Sequence, residues 1–269
     1  MNQTLKIISI QSPNAAESCR QIAHHMGQRL GIATEFINDV PWQERDRMLE
    51  SGEADIGWVC GLPYVMKAKK FPGQFELIAA PVMQQARYHQ RPVYFSDVVV
   101  RRDSRFNVFN DLRGTRWAYN EPNSQSGYNI TRFHLAQLGE VDNFFDRVLE
   151  AGSHLNALEM ILQGDIEAAA IDSTVLDQVA LDRPDLLSQL RVVDTLGPSP
   201  IPPWVINTKV PTKLREAIKR VFWTMHMTAV GREVLSAGQI ERMVAVNDKD
   251  YDRIRETVSY THLTLPTKA

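Results

Sequence analysis

Two short polar segments carry the residue types that an anion-binding site needs. The first contains Ser124, Ser126 and Gly127 and stands at the start of a helical pattern that runs from Ser126 to Leu138. A helix N-terminus presents free backbone N–H groups and a partial positive charge, so it attracts anions. Serine hydroxyls add donors, and glycine lets the backbone approach a ligand. An ordinary polar N-cap has the same composition, so this segment alone fits either interpretation.

The second segment is Gly152, Ser153 and His154, which precedes a helical pattern that stops at Gly164. A histidine side chain can donate a hydrogen bond to an anion in its charged or its neutral form. The alternative is a capping serine beside a solvent-facing histidine. Two such helix starts in the same part of the chain favour the anion site, because their backbone N–H groups would act together.

Further candidates stand at the ends of strand-like runs. Cys60 and Tyr64 follow the run ADIGWV, and open α/β sheets bind ligands at the carboxyl ends of their strands. Tyr64 offers a hydroxyl, whereas Cys60 has no basic neighbour in sequence and is more typical of a structural thiol. Tyr94 and Ser96 lie near the start of one further run, and Asp172 lies at the end of another. The alternative is strand packing for Tyr94 and Ser96 and helix capping for Asp172.

The motifs of common enzymes and metal sites are missing from the sequence. It contains no G-x-S-x-G, P-loop, H-E-x-x-H or G-x-G-x-x-G pattern, and its histidines do not recur at metal-ligand spacing. The two cysteines, Cys19 and Cys60, do not form a C-x-x-C pair. We therefore expect no catalytic residues, no metal and no cofactor. The net charge of −2 argues against nucleic-acid binding, and no apolar window is long enough to span a membrane.

These segments lie in a chain whose strand-like and helix-like runs alternate. Such alternation predicts an α/β fold with mostly parallel sheets. Two crossings, near residues 90–100 and at the proline-rich residues 195–205, would make the middle of the chain an inserted lobe. We expect lobe one to comprise residues 1–92 plus 203–257 and lobe two to comprise residues 93–202. A hinge made of two crossings would allow a cleft to close on a ligand.

Several segments also carry a family resemblance. They are ADIGWVCGLPYV, VYFSDVVVRRDS, FNDLRGTRWAYNEPNSQSGYN, EAGSHLNALEMILQGDIEAAAIDS and LGPSPIPP, in this order across about residues 5–240. In these segments the chain resembles the phosphate, phosphite and phosphonate-binding components of ABC importers, which have the type II periplasmic-binding-protein fold. The S-x-S-G-Y and G-S-H motifs are specific in combination. Gln125 departs from the resemblance, because a small hydroxyl residue is usual at that position.

The resemblance implies a solute-binding protein that captures a small oxyanion in an interlobe cleft. The residues of lobe two that would hold the anion are Ser124, Ser126, Gly127, Tyr128, Ser153, His154 and Asp172. Tyr64 and the Cys60–Gly61 loop would close from lobe one, with Tyr94 at the hinge. The implied partners are the permease and the ATPase of an ABC transporter.

Two alternatives use the same fold. One is an enzyme related to thiamine-pyrimidine synthesis, which would need a cysteine cluster, whereas only Cys60 stands near the expected cleft. The other is a cytoplasmic ligand sensor, for which no signalling or DNA-binding module fits the sequence.

The two ends of the sequence allow separate predictions about localisation and about the C-terminal segment. The N-terminus shows no signal-peptide pattern, which predicts a cytoplasmic protein as written and a periplasmic one if the true start lies upstream. The C-terminal segment Val258–Ala269, VSYTHLTLPTKA, looks like a translated sequencing adapter. We expect this segment to break the helical pattern that precedes it, because it contains β-branched residues and Pro266.

Overall fold

A computed structural model of the chain describes residues 4–140 and 143–264. These residues form two compact units. Unit one contains residues 4–93 and 200–251, and unit two contains residues 94–199 and 252–264.

The elements alternate along the chain as the sequence predicts. The strands are β1 (Leu5–Ser9), β2 (Thr34–Ile37), β3 (Ile56–Trp58), β4 (Phe75–Met83), β5 (Val93–Arg101), β6 (Arg116–Tyr119), β7 (Arg147–Glu150), β8 (Ala168–Asp172), β9 (Leu190–Pro200), β10 (Trp204–Asn207) and β11 (Ile240–Val244). The α-helices are α1 (Ala16–Leu30), α2 (Trp42–Ser51), α3 (Gly61–Lys70), α4 (Ile130–Gln137), α5 (His154–Gln163), α6 (Ser173–Asp182), α7 (Pro184–Ser188), α8 (Thr212–Thr224), α9 (Ala229–Ser236) and α10 (Asp252–Thr264).

Unit one is built on a mixed sheet with the strand order β11-β4-β10-β3-β1-β2. Strand β1 pairs in parallel with β2 and β3, and β10 runs antiparallel to β3 and β4. Leu5, Ile7 and Ile8 of β1 are fully buried, as expected for a central strand with both faces covered. Helix α1 ends at Gly31, which adopts the left-handed conformation (φ 65°) that favours glycine at a helix C-terminus.

Unit two has a second sheet with the order β7-β6-β8-β5-β9. Strand β6 is parallel to β7 and β8, and β5 is antiparallel to β8. Along β8, Ala169 and Ile171 pack into one hydrophobic cluster, and Ala168 and Ala170 pack into another. Successive strand residues point to opposite faces, so both faces of this sheet are covered by apolar groups. A polar site in unit two must therefore lie at an edge of the sheet where the strands end.

The structure confirms the two-unit α/β fold and adds one connection. The chain passes between the units at residues 93–94 and 199–200, within the ranges that the sequence indicates, and again at residues 251–252. Residues 252–257, which the sequence places in lobe one, group with unit two. Among the described residues, no helix combines the length and the apolar character needed to cross a bilayer.

The predicted break at Val258 is wrong, because α10 continues to Thr264. Ile254 and Thr257 are buried one turn apart on this helix, which packs against α4. Tertiary packing of this kind outweighs the weak helix propensity of β-branched residues. Residues 265–269, including Pro266, lie outside the described residues.

Candidate anion site

The predicted residues of unit two gather at one edge of its sheet. Because β6, β7 and β8 are parallel, their carboxyl ends share this edge, and the segments that follow them start there. Strand β5 is antiparallel to β8, with Ser96 opposite Asp172, so the beginning of β5 and Tyr94 lie at the same edge. The sequence motifs around Ser126 and His154 are thereby brought together from positions 28 residues apart.

The segment Ser124–Asn129, here called the serine turn, carries the first motif. Gln125–Asn129 form a single π-helical turn, and α4 begins only at Ile130. The predicted helix from Ser126 therefore has a π-helical first turn, a rare geometry that is frequent at functional sites. Ser124 is its N-cap: its Oγ accepts a hydrogen bond from Gly127 N at 3.1 Å, and its carbonyl accepts one from Asn129 N at 3.0 Å.

The serine turn meets His154 through a buried hydrogen bond. Ser126 Oγ lies 3.0 Å from His154 Nε2 and 3.4 Å from Ser124 Oγ, and each of the three side chains is 3% exposed. Burial lowers the pKa of His154 to about 4, and the Ala170 backbone opposes this only in part. The imidazole is therefore neutral at physiological pH, with one donor and one acceptor nitrogen. His154 Nδ1 is buried and makes no hydrogen bond of acceptable geometry within the described part of the chain.

Gly127 is required by close packing against Asn120, the residue that follows β6. A Cβ added at Gly127 would overlap Asn120 Oδ1 and would lie 3.2 Å from Asn120 N. The Asn120 side chain is itself buried, so it has little room to give way. Any larger residue at position 127 must displace either Asn120 or the serine turn.

Ser153 and Asp172 both cap helices, which was the alternative that the sequence left open for each. Ser153 Oγ accepts a hydrogen bond from Asn156 N at 3.1 Å at the start of α5. Asp172 Oδ1 accepts from Thr174 N at 2.8 Å and from Thr174 Oγ1 at 2.7 Å at the start of α6. Burial raises the pKa of Asp172 from its ordinary value of 3.8 to about 6, against the opposing effect of its bonds to Thr174.

We expect Asp172→Asn to stabilise the protein at neutral pH. The raised pKa means that the folded state favours the protonated carboxyl, so this residue's contribution to stability is present below pH 4 and is lost as the pH rises through 6. Asparagine caps a helix equally well but carries no charge. The free energy of unfolding at pH 7 should rise by on the order of 1 kcal/mol.

Urea unfolding of both proteins between pH 4 and pH 8 measures this effect. The lowered pKa of His154 makes stability fall as the pH drops below 6.5, and this contribution is common to both proteins. The difference between them therefore isolates Asp172. Equal stabilities across the whole range would show that Asp172 carries no buried-charge penalty.

Tyr128 lies in a stack of aromatic and cationic groups. Its ring centroid is 4.7 Å from that of Tyr119, and the Arg132 guanidinium carbon lies 5.3 Å from the Tyr128 ring centroid. The side chain is half-buried. The stack fixes the orientation of the residue that follows Gly127.

The candidates of unit one lie where β3 leads into α3. Cys60 is the N-cap residue of α3, and Gly61 is its first helical residue. The Tyr64 hydroxyl donates a hydrogen bond to Asp248 Oδ1 at 2.7 Å, and its ring contacts Tyr251 edge-on at 4.9 Å. Tyr94, the first residue of unit two, is fully buried. The Tyr64–Asp248 contact could not be predicted from the sequence, because the partners are 184 residues apart.

Three buried polar groups at or near the serine turn lie outside the set of expected anion-binding residues. Ser96 Oγ, Asn120 Oδ1 and Thr131 Oγ1 are buried, and none has a hydrogen-bond partner among the described residues. Buried polar groups are nearly always paired, so these atoms mark a region built for further hydrogen bonding. Ser96 stands with Tyr94 near the start of the run VYFSDVVV, where the sequence alone allows either a residue that reaches a cleft or one that packs on a neighbouring strand.

The edge of the unit two sheet where β6, β7 and β8 end offers mainly neutral hydrogen-bond donors. Its serines, histidine and backbone N–H groups can hold an anion, and none of the predicted site residues is a lysine or an arginine. Within residues 4–140 and 143–264, no group of three or more His, Cys, Asp or Glu residues is arranged to hold a metal ion.

Sequence comparison connects this architecture with known binding proteins. The family described as "ABC transporter, phosphonate, periplasmic substrate-binding protein" matches residues 5–251. The phosphonates-binding periplasmic protein of Escherichia coli (strain K12) is 26% identical over 193 residues, or 70% of this chain. The aligned part spans 55% of that curated relative.

Solved structures share the fold. A binding protein component of an ABC phosphonate transporter from Pseudomonas aeruginosa has a TM-score of 0.85 at 19% identity, covering 98% of this chain and 88% of that one. A Prochlorococcus marinus protein solved in complex with methylphosphonate has a TM-score of 0.84 at 17% identity, covering 96% of this chain and 98% of that one. Because the family match extends from residue 5 to residue 251, this chain belongs to the periplasmic phosphonate substrate-binding proteins of ABC transporters, which are binding proteins and not enzymes.

Proposed function

We propose that this protein captures a small tetrahedral oxyanion of the phosphonate class on the serine turn. The observation that carries the proposal is the buried pair of Ser126 and His154, 3.0 Å apart at the polar edge of unit two. Ser124, Gly127 and Tyr128 belong to the same turn. Family membership supports the same ligand class.

The turn can supply donors that face an anion. Ser124 Oγ already accepts from Gly127 N, so its hydroxyl proton remains available for a further bond. The Ser126 hydroxyl proton is also available for a ligand if the neutral His154 ring carries its proton on Nε2 and donates it to Ser126 Oγ. Anion binding would therefore favour this tautomer of the neutral imidazole. A buried oxyanion loses its water and needs hydrogen bonds in exchange, and these hydroxyls would provide them.

Asp172 is the group that would discriminate between anions. A carboxylate at the site edge repels a fully ionised ligand but accepts a hydrogen bond from a P–O–H group. Near neutral pH a large fraction of methylphosphonate and phosphate retains such a proton, a smaller fraction of phosphite does, and sulfate does not. Methylphosphonate is a suitable first ligand, because the Prochlorococcus marinus protein of the same fold was solved with it.

We further propose that unit one completes the capture and that the ligand is passed to a transporter. Tyr64, Cys60 and Gly61 would approach the anion from unit one, and Tyr94 would act at the connection between the units. The partners would be an ABC permease and its ATPase, in keeping with the family. Capture for uptake is favoured over a thiamine-pyrimidine enzyme or a cytoplasmic sensor, because the family consists of periplasmic binding proteins.

Titration calorimetry tests the proposed ligand class. The purified protein is titrated with methylphosphonate, phosphite, phosphate and sulfate at pH 7.5. We expect at least one phosphorus oxyanion to bind with a dissociation constant of about 1 μM or below, and sulfate to bind at least about tenfold more weakly. The absence of binding by all four anions at millimolar concentration would refute the proposal.

A further inference from the structure

A buried chain of side-chain hydrogen bonds connects the serine turn to the C-terminal helix. Gln125 Nε2 donates to Ser199 Oγ at 3.4 Å, and Gln125 Oε1 accepts from Asn129 Nδ2 at 2.7 Å. The same Asn129 nitrogen donates to Thr257 Oγ1 of α10 at 2.8 Å. Thr257 Oγ1 in turn donates to the Ile254 carbonyl at 2.8 Å.

Each donor in this chain has a defined role. Asn129 Nδ2 carries two protons and gives one to Gln125 and one to Thr257. The Thr257 hydroxyl gives its single proton to Ile254, so it meets Asn129 as an acceptor. Gln125, Asn129, Ser199 and Thr257 are all between 0% and 5% exposed. A buried polar chain with every member satisfied is rigid, and loss of one member leaves a partner unpaired at high cost.

These side-chain hydrogen bonds also explain why a glutamine, and not a small hydroxyl residue, stands at position 125. Gln125 stands between the two serines of the turn, but its side chain is fully buried and its amide is occupied by Ser199 and Asn129. Its long side chain therefore anchors the serine turn through these two hydrogen bonds. A small hydroxyl residue at this position could not reach both partners.

We propose that Gln125, Asn129 and Thr257 are positioning residues, through which α10 holds the serine turn in its anion-binding conformation. This inference rests on the proposed function of the turn. Asn129 is the central member, because its backbone N–H also closes the turn on the Ser124 carbonyl. Thr257 is the residue through which α10 joins these hydrogen bonds. The position of α10 therefore determines the geometry of Ser124 and Ser126.

The experiment compares Thr257→Val, which removes the hydroxyl but keeps the shape, with Thr257→Ser, which keeps the hydroxyl. Thr224→Val is the matched control, because the Thr224 hydroxyl donates to a backbone carbonyl of α8 in unit one and does not touch the turn. Two quantities are measured for each protein. They are the hydrogen-exchange rates of the Gly127 and Asn129 amides without ligand, and the dissociation constant for methylphosphonate.

Thr257→Val should speed exchange of both amides about fivefold and weaken methylphosphonate binding by a similar factor, the ratio that loss of one neutral hydrogen bond produces. Thr257→Ser and Thr224→Val should match the unchanged protein in both measurements. Unchanged exchange in Thr257→Val, equal damage in Thr257→Ser, or faster exchange with unchanged affinity would each overturn the inference. If the unchanged protein binds no methylphosphonate while exchange responds as expected, the proposed ligand is wrong and the coupling of α10 to the turn stands.

Discussion

Replacing Ser126 by aspartate is expected to abolish oxyanion binding. The Ser126 side chain lies 3.0 Å from His154 and 3.4 Å from Ser124 Oγ in a buried setting. An aspartate carboxylate at this position would accept the hydrogen bonds meant for the ligand and would repel the anion at close range. Titration calorimetry with methylphosphonate should detect no heat of binding for Ser126→Asp.

The milder change, Ser126→Ala, should weaken binding by about tenfold to a hundredfold, because a hydrogen bond to a charged group is worth about 1.5–3 kcal/mol. Ser188→Asp serves as the matched control, since Ser188 is an exposed residue of unit two at the end of α7. It adds the same charge and should leave the affinity unchanged. If Ser126→Asp binds methylphosphonate as tightly as the control, the anion site lies elsewhere.

The second large effect is expected for Gly127→Ala. The added methyl group would overlap Asn120 Oδ1 and press on the Asn120 backbone, so the serine turn must move. Overpacking of this kind costs about 1–3 kcal/mol, and the displaced turn should bind methylphosphonate at least about tenfold more weakly. Thermal unfolding and titration calorimetry on the same preparation measure both effects.

The double variant Asn120→Ala/Gly127→Ala separates this contact from other causes. Removing the Asn120 side chain gives the new methyl group room, so the double variant should be more stable than the sum of the two single changes predicts. Additive losses of stability would mean that the overlap with Asn120 is not what makes glycine necessary.

The sequence predicted the fold well because the fold depends on local periodicity. Buried runs such as Leu5–Ser9 and helix ends such as Gly31 and Gly164 are marked by residue type alone. The grouping of α10 with unit two was missed, because it depends on side chains far apart in sequence. Asn129 and Thr257 are 128 residues apart, and no sequence pattern predicts their contact.

The sequence identified the segments that form the candidate site, but not how their side chains are arranged. The polar residues after β6 and β7 meet at one edge because parallel strands share their carboxyl ends, and this could be reasoned from the alternation of elements. The choice between helix capping and ligand binding could not be made for Ser153 and Asp172, because both uses need an oxygen at the same position. The π-helical turn and the close approach of Gly127 to Asn120 require coordinates, since both depend on packing of the folded chain.

A crystal structure of the protein grown with methylphosphonate tests most directly whether the serine turn binds the anion. We expect the phosphonate group at the serine turn, with one oxygen within hydrogen-bond distance of Ser126 Oγ and others at the Ser124 hydroxyl and the backbone N–H groups of the turn. His154 should still contact Ser126 through Nε2. A phosphonate group bound away from Ser124, Ser126 and Gly127, with the turn unoccupied, would contradict this expectation.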